Sequence, residues 1–254
     1  MMTAYFDVKQ LPFSTQQGLI DLPILYYNTA CVFASFIVSS SAARQLLPAE
    51  LDPVIVAPGR SLATVAFFQY VDSSVGPYNE MGLAIAAHPS RHAGFNSTAA
   101  WHPDQSIMPG MYVVDLPVTT EIANAAGREC WGYPKIVVPI DFSRRGPQLD
   151  CQVYDADGVT SLCRLSGRTG MGLKLPSPNL MTYTQRQGTL LRTVIAMRGR
   201  MDYTRAGSVR LHIATNAHHL CEHLRVLNLD EATPLLIQAG QGLQAILPAG
   251  EAVD

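Results

Sequence analysis

The chain has 254 residues, of which 48% are hydrophobic and 15% charged, and its formal net charge is −2. That length can bury a sizeable core in one large domain or two small ones, and the near-neutral balance leaves no basic footprint for nucleic acid. Low charge is also compatible with faces buried between subunits. Five scattered cysteines, Cys31, Cys130, Cys151, Cys163 and Cys221, show no CxxC spacing and read as reduced thiols of a cytoplasmic protein. The longest apolar run, Ala30 to Val38, carries a serine and is about half the length of a membrane span. Met1 to Gln10 lacks the basic start and apolar core of a signal peptide. Cytoplasm is the expected location, and neither a membrane nor nucleic acid is an expected partner.

In chain order, residues 1–25 contain Pro12 and Pro23 without a clear period and read as an arm with short extended pieces. Tyr26 to Val38 is aromatic and β-branched enough for a strand. Ser39-Ser40-Ser41 offers a cap for a short helix over Ala42 to Leu47, stopped at Pro48. Leu51 to Val56 and Ser61 to Val71 read as strands, joined by the turn Ala57-Pro58-Gly59. Gly76-Pro77-Tyr78-Asn79-Glu80 reads as a turn and Met81 to Ala87 as the next strand. Residues 88–109 read as a long loop that carries Arg91, His92 and His102. Met111 to Leu116 is a strand, and Thr119-Thr120-Glu121 caps a helix that Gly127 ends.

A strand bearing Lys135 follows. Beyond Gln148 strands and turns alternate, with a hairpin signal at Asp155-Ala156-Asp157-Gly158, a break over residues 176–179, a helix over Ala217 to Leu224 and extended chain over Pro234 to Leu247. Many short strands with few short helices predict an α+β, β-rich fold, a curved sheet or closed barrel-like core with peripheral helices. No internal repeat or change of composition divides the chain, so residues 1–254 read as one domain.

The lysines point to the chemistry. There are only three, Lys9, Lys135 and Lys174. Lys135 stands between Tyr133-Pro134 and the apolar run Ile136-Val137-Val138. An apolar site disfavours the charged ammonium form, and a neutral amine is a nucleophile towards carbonyl carbon. The plainer reading is a half-buried lysine whose head reaches solvent.

Gly127-Arg128-Glu129, three residues, then Tyr133-Pro134-Lys135 resembles the Schiff-base lysine motif of the acetoacetate decarboxylase family. Gly76-Pro77-Tyr78-Asn79-Glu80 resembles the family turn that carries an active-site glutamate. Pro178-Asn179-Leu180-Met181, Val209-Arg210-Leu211 and Ile246-Leu247-Pro248 are similar to later family segments, so the likeness runs from about Thr29 to the end. The resemblance implies a homo-oligomeric, cofactor-independent lyase that forms an imine through Lys135 with a small oxo acid or other carbonyl substrate. Glu80 then orients the substrate or shuttles protons, and Glu129, Arg128, Tyr133 and Arg91 are candidates for substrate contact or support.

Three departures stand out. The second lysine that follows the nucleophile in family decarboxylases is here Ile136. The family arginine falls near Thr29, and the first glutamate near Ala66 or Phe67. These differences keep open an aldolase-dehydratase condensation through the same lysine. A non-catalytic binding barrel with an inert lysine is a further alternative. His219 and His223 lie one helical turn apart beside His218 but lack a third ligand with motif support, so no metal is expected. Gly167 to Gly172 lacks the phosphate-loop signature, so no nucleotide cofactor is expected either.

Overall fold

The computed structural model describes residues 4–90 and 109–253. After a single 3₁₀ turn come the hairpin strands β1 (Leu11–Thr15) and β2 (Gly18–Leu22), then β3 (Ile24–Ser39), α1 (Ser40–Gln45) and β4 (Leu51–Pro53). Next are β5 (Arg60–Ser73), β6 (Tyr78–Pro89), β7 (Gly110–Asp115) and α2 (Glu121–Ala126). β8 (Ile140–Arg145), β9 (Gln148–Tyr154), β10 (Ser161–Arg168) and β11 (Gly172–Pro176) follow, then β12 (Leu180–Arg186), β13 (Thr189–Arg198), β14 (Arg200–Thr204) and β15 (Arg210–Ile213). The last elements are α3 (His219–Val226), β16 (Leu236–Leu247) and β17 (Glu251–Ala252).

Seven strands close a barrel in the order β16-β3-β5-β6-β7-β12-β13, and the β13–β16 pairing seals it. All neighbours are antiparallel except β7 and β12. The β-rich, barrel-like expectation is borne out. The chain 1–25, expected as an arm, contains the β1–β2 hairpin.

Closure explains the apolar run in β3. Successive side chains alternate between faces. Val32, Ala34, Phe36 and Val38 point outward and are buried in one cluster with Val65, Phe67, Leu83 and Ile85. That cluster also takes in Leu149, Cys151, Val153 and Leu165 of a second sheet, ordered β15-β10-β9-β8, and Leu220, Cys221 and Leu224 of α3. The opposite positions, Phe33 and Ser35 on β3 and Thr64, Ala66, Phe68 and Tyr70 on β5, line the barrel interior. Both faces of these strands are therefore covered, one by core and one by a cavity.

α3 is tied to the barrel by charge. Asp115, at the end of β7, is buried; its Oδ2 lies 2.8 Å from His223 Nδ1 and its Oδ1 3.4 Å from His219 Nε2. His218 caps the helix, its Nδ1 accepting from Leu220 N at 3.1 Å. The histidine cluster thus holds a carboxylate and a helix end. The hydrogen bond to Asp115 raises the His223 pKa above its ordinary value. Protonated His223 stabilises the fold fully below the pKa of an unfolded histidine, and that contribution fades as pH rises through the raised folded value. His223→Asn should therefore lower the melting temperature more at about pH 5.5 than at about pH 8. The difference should be ~0.5 kcal/mol, because the half-exposed ring is screened by solvent. An equal loss at both pH values would show that the ring acts by packing alone.

Candidate active site

The barrel encloses a cavity of about 330 Å³. Its inward positions on β6 are Glu80, Gly82, Ala84 and Ala86, so Glu80 belongs to a strand rather than to the expected turn, which is confined to residues 74–77. The Glu80 backbone is fixed on both sides. Asn79 N donates to Thr119 Oγ1 at 2.9 Å, Asn79 Nδ2 donates to the Ile140 carbonyl at 2.8 Å, and Met81 N donates to the Pro117 carbonyl at 3.0 Å. Thr119 is thus engaged with β6, and Thr120, the N-cap of α2, makes no side-chain capping bond.

The helix expected to stop at Gly127 continues as a π-helical turn, Gly127–Trp131. It ends at Gly132, whose φ of 69° favours glycine and whose Cα faces the Gln185 carbonyl too closely for a Cβ. Gly127 instead makes room for the lysine, since a Cβ there would collide with Cδ and Cε of Lys135. β12 fixes the turn from outside, through Thr184 Oγ1 donating to the Trp131 carbonyl at 2.6 Å and Arg186 donating to the carbonyls of Glu129 and Cys130. Trp131 Nε1 donates to the Pro248 carbonyl at 2.8 Å.

Lys135 is not in a strand. Pro134 and Pro139 lack donors, and Lys135 N turns back to the Tyr133 carbonyl at 2.8 Å. The segment runs extended beside Leu116-Pro117-Val118, joined by Leu116 N to the Pro134 carbonyl, Val118 N to the Ile136 carbonyl and Val138 N to the Val118 carbonyl. Lys135 enters the cavity, whereas Ile136 packs against the outer core.

Lys135 and Glu80 meet at the buried end of the cavity, both about 5–6% exposed, with Nζ donating to Glu80 Oε2 at 2.6 Å. Glu80 Oε1 accepts from Tyr70 Oη at 3.1 Å. The amine also lies 5.6 Å from the Tyr78 ring centre and 5.9 Å from that of Tyr133, within reach of their π faces. Tyr26 and Tyr78 share a hydrogen bond of 2.9 Å, and Tyr133 Oη shares one of 2.9 Å with Thr182 Oγ1. Burial and then the Glu80 carboxylate push the Tyr26 and Tyr70 hydroxyls above their ordinary pKa; burial, Tyr26 and Glu80 do the same at Tyr78. These phenols remain protonated, so Tyr70 is a fixed donor to the carboxylate.

The remaining sequence candidates separate. Tyr133 lines the cavity. Arg128 is exposed, and its guanidinium donates to the Lys135 carbonyl at 3.0 Å, gripping the backbone of the lysine rather than its amine. Glu129 turns away: its Oε1 accepts from Gln16 N at 3.1 Å, in the β1–β2 turn. Arg91, His92 and His102 lie outside the described residues. Thr29, near which the resemblance places the family arginine, lines the cavity, and Ala66 does so beside Phe68. Tyr70 is the member that sequence reasoning missed. Its only signal was the alternation Phe68-x-Tyr70 opposite Tyr78-x-Glu80, which requires the register Phe68↔Glu80 and Tyr70↔Tyr78.

A model of the acetoacetate decarboxylase (ADC) family matches residues 10–200, and the chain belongs to that family. Its enzyme class is that of the lyases. A solved acetoacetate decarboxylase superposes with a TM-score of 0.65 at 17% identity, covering 91% of this chain and 88% of its own. The enzyme from Legionella pneumophila gives 0.63 at 13% identity, with 98% and 92% covered. The enduracididine biosynthesis enzyme MppR, complexed with pyruvate, gives 0.67 at 14% identity, with 97% and 99% covered. At these identities the solved structures establish the shared fold. No curated protein matches the chain by sequence.

Proposed function

We propose that this protein is a lyase that works through a protonated imine between Lys135 and the carbonyl carbon of a small oxo acid or related ketone. The observation that carries the reading is the buried contact of 2.6 Å between Lys135 Nζ and Glu80 Oε2 inside the barrel cavity. Glu80 takes a proton from the ammonium, and the free amine adds to the carbonyl carbon to give a carbinolamine. Glu80 returns the proton to the carbinolamine hydroxyl, which leaves as water, and the iminium remains beside the carboxylate. Tyr70 holds the other carboxylate oxygen, so the oxygen facing the amine keeps its place through both transfers. The iminium then accepts the electron pair of a bond one carbon away, from a carboxylate lost as carbon dioxide or from a C–H bond.

The second branch, an aldolase-dehydratase type of reaction, is favoured by one feature. Among the described residues of the cavity wall, Lys135 is the sole cation, with uncharged Thr29 where the resemblance implies an arginine. We read residues 1–254 as one domain and the protein as cytoplasmic, the latter supported by five free, buried cysteines. The exposed, apolar edge strand β11, with Leu173 and Leu175, supports a homo-oligomer.

Oxygen exchange tests the reading. Carbonyl compounds labelled with oxygen-18 (acetone, acetoacetate, pyruvate and the larger ketone 4-phenylbutan-2-one) should lose the label to water faster with the wild-type protein than with Lys135→Ala, because each cycle of imine formation and hydrolysis replaces the oxygen. No acceleration with any of them would leave the binding-barrel reading in its place.

A further inference from the structure

The charge balance and the walls of the cavity narrow the substrate. Lys135 and Glu80 are the only charged side chains among its described lining residues, and they neutralise each other at 2.6 Å. A ligand carboxylate would bring a net negative charge into the site with no second cation among those residues to meet it. Burying an unpaired charge is strongly unfavourable. The remaining wall is predominantly apolar, with Phe33, Leu62, Phe68, Met111, Leu180 and Met197 prominent. Most of its hydroxyls already have partners: Tyr26 with Tyr78, Ser35 with Thr64, and Tyr133 with Thr182.

The volume also exceeds what a short oxo acid fills. At about 330 Å³ the cavity is about twice the size of an apolar cavity that accepts one benzene ring. A ring with a short chain ending at the amine would occupy it.

We infer that the substrate presented to Lys135 is an uncharged ketone or aldehyde with an aryl or medium-length alkyl body. The inference rests on the imine reading above and specifies its substrate. Such a compound has no carboxylate to lose. The iminium is discharged when an α-hydrogen passes to Glu80 as a proton, and the electron pair of that C–H bond forms the enamine. Addition of the enamine to an aldehyde, with Glu80 protonating the new alkoxide, completes carbon–carbon bond formation.

Borohydride trapping on the whole protein tests this, with 4-phenylbutan-2-one, acetone, acetoacetate and pyruvate as probes. The aryl ketone should give half-maximal labelling at a concentration ~100-fold below that of either oxo acid. Ala84 faces the cavity four residues beyond Glu80 along β6. Ala84→Phe should therefore weaken labelling by the aryl ketone more than labelling by acetone. If either oxo acid labels at the same or a lower concentration than the aryl ketone, the imine reading stands and this inference is overturned. An unchanged aryl-to-acetone ratio in Ala84→Phe likewise overturns it. Absence of labelling by all four probes would remove the imine reading itself.

Discussion

Lys135→Ala is expected to reduce oxygen exchange by at least ~10⁴-fold, as removal of a nucleophile does in other covalent enzymes. The same change should destabilise the protein by about 3–5 kcal/mol, because it leaves the Glu80 carboxylate buried without its counter-ion. The two effects can be separated. In Lys135→Met/Glu80→Gln both charges are removed and similar volume is retained, so stability in urea should return to within about 1–2 kcal/mol of wild type. Activity should stay absent. Lys135→Arg should also be inactive, since a guanidinium stays protonated and cannot attack a carbonyl. If the single and double variants unfolded at the same urea concentration, the buried ion pair would not be the coupled unit described here.

Gly127→Ala should be the most damaging substitution outside the pair. Its methyl group would occupy the space of Lys135 Cδ and Cε. The lysine stem is held at the other end by Glu80, so relief must come from moving the amine or the π-helical turn. A displacement of about 1 Å at a reacting atom can lower a rate ~10²-fold, whereas overpacking costs about 1–3 kcal/mol of stability. The variant should therefore remain folded while imine formation slows ~10²-fold. Near-normal imine formation would show that the turn gives way and that Gly127 has no role in placing the amine.

These expectations show how far the sequence carries. Barrel strands alternate because one face meets core and the other a cavity, so β3, β5 and β6 were legible from period and residue type. Lys135 and Glu80 were legible from their motifs. The conformation around them was not. Gly127 has the appearance of a helix terminator, but its lack of a side chain serves the lysine stem, and the terminating glycine is Gly132 with its positive φ. The β-branched run after Lys135 suggested a strand, yet Pro134 and Pro139 deprive it of donors. Glu129 was a candidate for substrate contact or support. Its contact with Gln16 spans 113 residues of chain and depends on where the β1–β2 hairpin docks. Tyr70 escaped notice for a related reason: its place beside Glu80 depends on strand register, which hydrophobic alternation does not specify by itself.

The most direct measurement of the central claim is the position of a reduced adduct. The protein would be incubated with a carbonyl probe and borohydride, digested and weighed peptide by peptide. With three lysines in the chain, Lys9, Lys135 and Lys174, the assignment is unambiguous. The expected result is a single secondary amine on the peptide containing Lys135, absent from Lys135→Ala. An adduct on Lys9 or Lys174 that persists in that variant, or no adduct on Lys135, would contradict the account.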